Sequence, residues 1–409
     1  MSHAGGDANM ASTSDEEAEQ TVILDPEQDE DEDDVNVLVD IEVEVGPPSA
    51  EEALRYFGVD FDVDGLVRRF KQKEIIVPRF DPEEPENSGT GYAGFQRNFV
   101  WKKRQMDRFV ESILLGYPVP GIFLVELPNR RYIVLDGQQR LTTLRDFFNG
   151  TYEAKNGERP FALDYAAPPF QGQTYATLQP ADRRLLNNAL IQATVALPIG
   201  ENGKLAVYTL FERINSGGTK LNEQQIRVAI FPGSATQLVR RLNRDSNWRQ
   251  LFGNVHRDLK DQELILRYLA LKRVAAEETD PKGEPVQYRA PMATFMSQYL
   301  SDNEDMSEEK IEEEERDFAA ACRLLVEAVG ANALKRNRTI NAARADSVLV
   351  GLSLAVREDP TINALKVRSA MAELEANNDY VEKTQKSTSH KLSVTGRLSA
   401  AISAFTGRQ

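Results

Sequence analysis

Residues 132–148 read "YIVLDGQQRLTTLRDFF", and Asp136 to Arg140 decide how this stretch folds. Tyr132 to Leu135 has the makings of a short buried strand, and Leu141, Leu144 and Phe148 share one side of a helix. A plain strand-to-helix connection needs one capping residue and a glycine. This one sets an acid, a glycine, two amides and a cation in fixed order, with the hydroxyls of Thr142 and Thr143 close behind.

A strand that ends in Asp-Gly and feeds a helix aims backbone N–H groups at whatever lies above the turn. The first amides of a helix have no internal partner, and the helix dipole makes that end attractive to anions. Gly137 lets a ligand approach the backbone closely. Arg140 can fork onto a phosphate, and Gln138 and Gln139 suit the amide-like edge of a base or a ribose. Asp136 would repel a bare phosphate, so it calls for a metal, a ribose hydroxyl or an arginine as partner. The structural alternative is simpler: Asp136 caps the helix and Arg140 pairs with an acid.

Upstream, Gly121 to Leu127 reads as a strand and hairpin partner of Tyr132 to Leu135, with a turn over Pro128 to Arg131. Met106, Phe109, Val110, Ile113 and Leu114 recur on one helix face, which Gly116 and Pro118 end. A short helix is expected over Asp64 to Lys71, a strand over Ile75 to Val77, and an exposed loop over Asp81 to Gly91. Downstream, residues 151–179 look irregular, "LIQATVALPI" reads as a strand, and helices at Leu205 to Ile214 and Leu221 to Phe231 flank the tight loop "NSGGT". From Gln237 the pattern is helical almost throughout, with "SEEKIEEEERDF" as a solvated charged helix. The expected class is α/β (α+β). A disordered acidic tail (1–50), in which Val35 to Val45 could form an edge strand, precedes a mixed domain (51–235) and a helical domain (236–409).

The charge is unevenly spread. Residues 1–54 hold 18 Asp and Glu and no Lys or Arg, so the net charge of −15 belongs to the tail, and the remaining 49 basic and 46 acidic side chains leave +3. Such a self-repelling block has little to bury. Nothing approaches the roughly 18 apolar residues of a membrane span, and no basic-then-apolar leader begins the chain, so a cytoplasmic location is expected. The single cysteine, Cys322, excludes a disulfide framework or a multi-cysteine metal site.

Two further segments carry ligand chemistry. "GFQRNFVWKKRQ" sets Gln96, Arg97, Asn98, Lys102, Lys103 and Arg104 among Phe95, Phe99 and Trp101, a mixture suited to phosphate and base contacts. "FERINSGGTKLN" places Asn215, Ser216, Gly217, Gly218 and Thr219 between helices, where backbone amides can form an anion nest.

With "FQRNFVWKKRQMDRFVESILLGYPVPGIFL", "YIVLDGQQRLTTL", "FERINSGGTKLN" and "DQELILRYLALKR" in this order, the sequence resembles the DGQQR family, the amino-terminal domain of GmrSD-type modification-dependent restriction systems. The resemblance covers roughly residues 60–275. It implies a ParB/sulfiredoxin-like fold followed by a mainly helical domain, with a Gly-x-x-Arg turn, here Gly137 and Arg140, that holds nucleotide phosphates. It further implies binding or hydrolysis of a nucleoside triphosphate with a divalent metal, Mg2+, in defence against phage. The expected partners are modified DNA or a partner nuclease, and no membrane. On this reading Asp136 and Arg140 are catalytic and Asp136 holds the metal. Gly137, Gln138, Gln139, Arg140, Thr142, Thr143, Gln96, Arg97, Asn215, Ser216, Gly217 and Gly218 bind the nucleotide.

Two departures narrow the expectation. Gln138 stands where sulfiredoxins carry their reactive cysteine, which excludes peroxiredoxin repair. The only histidines are His3, His256 and His390, none in an HNH-like setting, so an HNH nuclease is excluded and His390 reads as a surface residue. A non-hydrolysing DNA-binding or scaffold module, and a nuclease built on the ParB-like fold itself, are the alternatives.

Overall fold

The computed structural model describes residues 37–38, 53–77, 101–127, 130–154, 157–200, 203–214, 223–256, 258–336 and 338–407. Its amino-terminal half is built on a five-stranded mixed sheet in the order β2-β8-β4-β5-β3. These strands are β2 (Leu54–Asp62), β3 (Ile75–Ile76), β4 (Ile122–Glu126), β5 (Tyr132–Asp136) and β8 (Leu190–Pro198). β4 and β5 form the expected antiparallel hairpin. β4 runs parallel to β8, and β8 pairs antiparallel with β2 along nine residues.

Three helices pack on one face of this sheet: α1 (Val63–Lys71), α2 (Lys103–Leu114) and α3 (Gln138–Asn149). Asp62 starts α1 by accepting a hydrogen bond from the Gly65 amide at 2.7 Å. All five apolar positions anticipated for α2 are buried. Leu66, Phe109, Ile113, Leu141, Leu144 and Phe147 meet Ile122, Leu124, Val134, Ala193 and Val195 in one cluster. Beyond α3 lie the hairpin of β6 (Thr151–Ala154) and β7 (Gly157–Pro160), and α4 (Pro180–Asn188).

The opposite face of the sheet, through Val125, Ile133, Leu135 and Ala196, joins a second cluster. This cluster begins with α5 (Gly203–Ile214) and α6 (Glu223–Ile230) and continues through the helical remainder of the chain. Strands covered on both faces need nearly continuous apolar residues, which is why "IFLVE" and "YIVLD" lack a polar alternation. The remainder comprises α7 (Ser234–Asn243), α8 (Ser246–Phe252), α9 (Lys260–Ala275), α10 (Met292–Asp302), α11 (Glu308–Ala328), α12 (Ala342–Glu358), α13 (Ala364–Ala376), α14 (Asn378–Lys383) and α15 (Lys391–Thr406). Between α11 and α12 lie β9 (Lys335–Arg336) and β10 (Thr339–Asn341). Of the edge strand suspected over Val35 to Val45, Val37–Leu38 form β1, parallel to β10, and the rest of that stretch lies outside the described residues. The class is α+β, as expected.

The structure departs from the sequence reading in four places. β2 was not anticipated, and much of it is exposed, including Tyr56 and Phe57. Part of the stretch expected to be irregular forms the β6–β7 hairpin. Phe147 rather than Phe148 is the deep residue of α3, while Phe148 stacks on Tyr175 at 4.2 Å. The charged helix α11 is not wholly solvated: Glu314 and Asp317 are buried, and both accept hydrogen bonds from Lys272 of α9. His390 is exposed, as read, and Cys322 is buried in α11. Burial pushes the Cys322 thiol well up. The loop expected over 81–91 lies outside the described residues.

A candidate anion-binding turn

The site is the junction of β5 and α3. Phe123 of β4 sits opposite Asp136 and Leu124 opposite Val134, so Leu135 is the extra residue of a bulge at the end of β5. Bulges of this kind re-aim the end of a strand. Gly137 follows in the left-handed region at φ 94°. A Cβ there would lie 2.4 Å from Ile122 Cγ2, so both backbone angle and space demand glycine. Gly137 occupies the N-cap of α3, and no side chain caps that helix. The structural expectation that Asp136 caps α3 is therefore not met. The leading amides of α3 keep their donors directed out of the helix end.

Asp136 finds its partner in an arginine. Its Oδ2 accepts a hydrogen bond from Arg140 Nη2 at 2.7 Å, and the same nitrogen donates to the Gly121 carbonyl at 2.8 Å. Asp136 is the outer member, with its side chain 58% exposed against 14% for Arg140. Arg140 Nε is buried and has no hydrogen-bond partner. Gly121 is itself pressed against β8, since a Cβ there would lie 2.6 Å from the Gln192 carbonyl oxygen.

Gln139 accepts a hydrogen bond from the Trp101 amide at 3.3 Å, so the residues leading into α2 and the first turn of α3 meet. Gln138 and Thr142 are partly exposed at the same helix end. Thr143 is wholly buried, and its hydroxyl has no hydrogen-bond partner, so it faces packing rather than solvent. Lys103, read from sequence as a phosphate contact, is used inside the protein. It bonds Asp107 and the Ala162 carbonyl and lies over the Phe161 ring at 4.7 Å. Burial raises the Asp107 carboxyl above its ordinary range, outweighing the Lys103 hydrogen bond. Gln96, Arg97 and the loop Asn215, Ser216, Gly217 and Gly218 lie outside the described residues.

Gly121 and Ile122 are the contributors the sequence reading missed. Both belong to the neighbouring β4 segment, and no spacing along the chain connects them to residues 137–140. The hairpin expectation was the one available signal, because it places the start of β4 beside the end of β5.

Among the described residues no cluster of three His, Cys, Asp or Glu could hold a metal ion, and no helix is long and apolar enough to cross a membrane. No curated protein matches the chain. Residues 86–232 match the family model described as GmrSD restriction endonuclease, N-terminal domain. That span contains the β5–α3 turn and points to a restriction-system, phage-defence setting. Over these residues the chain resembles the amino-terminal domain of GmrSD restriction endonucleases.

Proposed function

We propose that the β5–α3 turn binds the phosphates of a nucleoside triphosphate, on a ParB-like scaffold working within a phage-defence system. The observation that carries this reading is the conjunction at one helix end. An uncapped N-terminus, a left-handed glycine that turns the chain from β5 into α3, and a fixed guanidinium all sit at residues 137–140. Together they supply a positive dipole, outward-facing amides and a cationic donor. Gln138 and Thr142 are placed to reach the rest of the nucleotide. Asp136 Oδ2 is committed to Arg140, and among the described residues no cluster of three His, Cys, Asp or Glu could hold a metal. A divalent cation such as Mg2+ would therefore be held chiefly by the triphosphate and by water, a common mode for this ion.

Titration calorimetry with each of the four ribonucleoside triphosphates, with and without magnesium, tests the reading. Arg140→Ala should weaken the tightest complex about ten- to a hundredfold, the loss expected for one charge-assisted hydrogen bond. Unaltered affinity in that variant, with only a lower melting temperature, would show the turn to be structural. Phosphate release measured on the same samples reports turnover separately from binding.

A second reading has its own observation. Arg104 and Arg108, one turn apart on α2, are both exposed. Such a basic helix face suits a DNA backbone. Binding of duplex DNA that falls steeply with salt and ignores nucleotide would favour it.

A further inference from the structure

We propose that Asp136 is a positioning residue, which with the Gly121 carbonyl holds Arg140 by one nitrogen and leaves its Nη1 to the ligand. The proposal rests on the nucleotide-binding reading above and assigns Asp136 a role other than metal binding. A guanidinium has five N–H donors, two of them on Nη2. Both Nη2 hydrogens are spent, one on Asp136 and one on Gly121. Both acceptors belong to residues tied to the sheet at the backbone. Asp136 ends β5 opposite Phe123, and Gly121 abuts the Gln192 carbonyl. Two fixed acceptors on one nitrogen set the plane of the whole group. Nε is buried, so Nη1 is the donor left to meet a phosphate.

The arrangement also has an electrostatic consequence. The exposed carboxylate offsets the charge of Arg140, so recognition depends on donor direction more than on net attraction. A carboxylate with only this task needs its acceptor oxygen and not its charge. Removing the charge alone and removing the acceptor should therefore act in opposite directions.

The experiment compares the full-length wild type with Asp136→Asn and Asp136→Ala. It uses the tightest of ATP, GTP, CTP and UTP, with and without magnesium, at two ionic strengths. Asp136→Asn keeps an acceptor for Nη2 and removes a repelling charge, so affinity should rise several-fold, roughly, and fall more steeply with salt. Asp136→Ala frees the guanidinium, so affinity should drop about tenfold although the same charge has gone. This opposite movement is what a merely structural residue would not produce, since lost stability would weaken both variants alike.

If both variants bind more tightly, Asp136 only repels and the proposal fails. If both lose a magnesium dependence that the wild type shows, Asp136 handles the metal, and again the proposal fails. A wild type that binds triphosphate, with Asp136→Ala unchanged, overturns this inference alone. A wild type that binds none of the four overturns the nucleotide reading and this inference with it.

Discussion

Two of the molecule's arrangements of aspartate with arginine differ in what is left over. At the β5–α3 turn, one arginine meets a half-exposed aspartate and keeps Nε without a partner. In the helical region, Asp346 of α12 is fully buried between Arg267 of α9 and Arg397 of α15. There Arg267 Nε and Nη2 both donate to Asp346 Oδ2, Arg397 Nε donates to Oδ1, and Arg397 Nη1 turns to the Thr388 carbonyl. The pairing is alike, but the guanidiniums around Asp346 surround it with donors on both oxygens, whereas Arg140 reaches Asp136 through Nη2 alone. On the proposed reading it is the donor left over at the open helix end, Arg140 Nη1, and not the ion pair as such, that would meet a ligand.

The largest effect should come from the buried arrangement. Asp346→Ala leaves two guanidiniums without their carboxylate in the core and should cost about 3–5 kcal/mol, read as a lower urea midpoint. A wild-type midpoint would break the contrast, because Asp346 would then matter no more than a surface partner. Gly137→Ala comes next. A methyl group at φ 94° and 2.4 Å from Ile122 should cost about 1–3 kcal/mol in stability. It should also lower triphosphate affinity by displacing the turn. Full stability in that variant would mean that Ile122 yields and that the turn is less constrained than drawn.

The smallest effect sharpens the comparison with a third carboxylate. Asp107 is buried like Asp346 but has one lysine for a partner, and burial raises its pKa. A raised native pKa means that the folded state holds the proton more tightly than the unfolded chain. The corresponding stability is complete below the ordinary carboxylate value, about 3.9, and is lost as pH rises through the raised value. Asp107→Asn removes that loss. Its stability measured by urea unfolding from roughly pH 4 upward should thus decline less than that of the wild type. Parallel curves for the two proteins would show that Lys103 compensates fully for burial.

Most of the architecture was legible because its signals are local. The α2 stripe from Met106 to Leu114, the 122–136 hairpin and the long carboxy-terminal helices follow from periodicity within one segment. β2 escaped because most of its side chains are exposed, so burial gave "LRYFGVDFD" no clean alternation. Buried Glu314 and Asp317 escaped for a related reason. A charged helix looks solvated until Lys272, 42 and 45 residues away, is brought against it. At the site, Gly137 and Arg140 could be picked from the sequence. An arginine was among the partners open to Asp136, and an acid was the alternative for Arg140; that the two would choose each other, with no cap from Asp136, depends on Gly121 and Ile122 across the hairpin.

The helix α5 has a consequence for how such a chain can change over evolutionary time. Leu205, Ala206, Val207, Tyr208 and Phe211 are all buried, in the same cluster that takes in the underside of the sheet and the helical region. A helix apolar on more than one side needs neighbours on more than one side. Recombination that separated the sheet from the helices would bare apolar surface wherever the break fell, before α5 or after it. A lineage keeping only the sheet would first have to acquire polar residues at these positions. The two parts are therefore expected to travel together in descent, and shuffled copies joined near residue 203 or 232 should be rare.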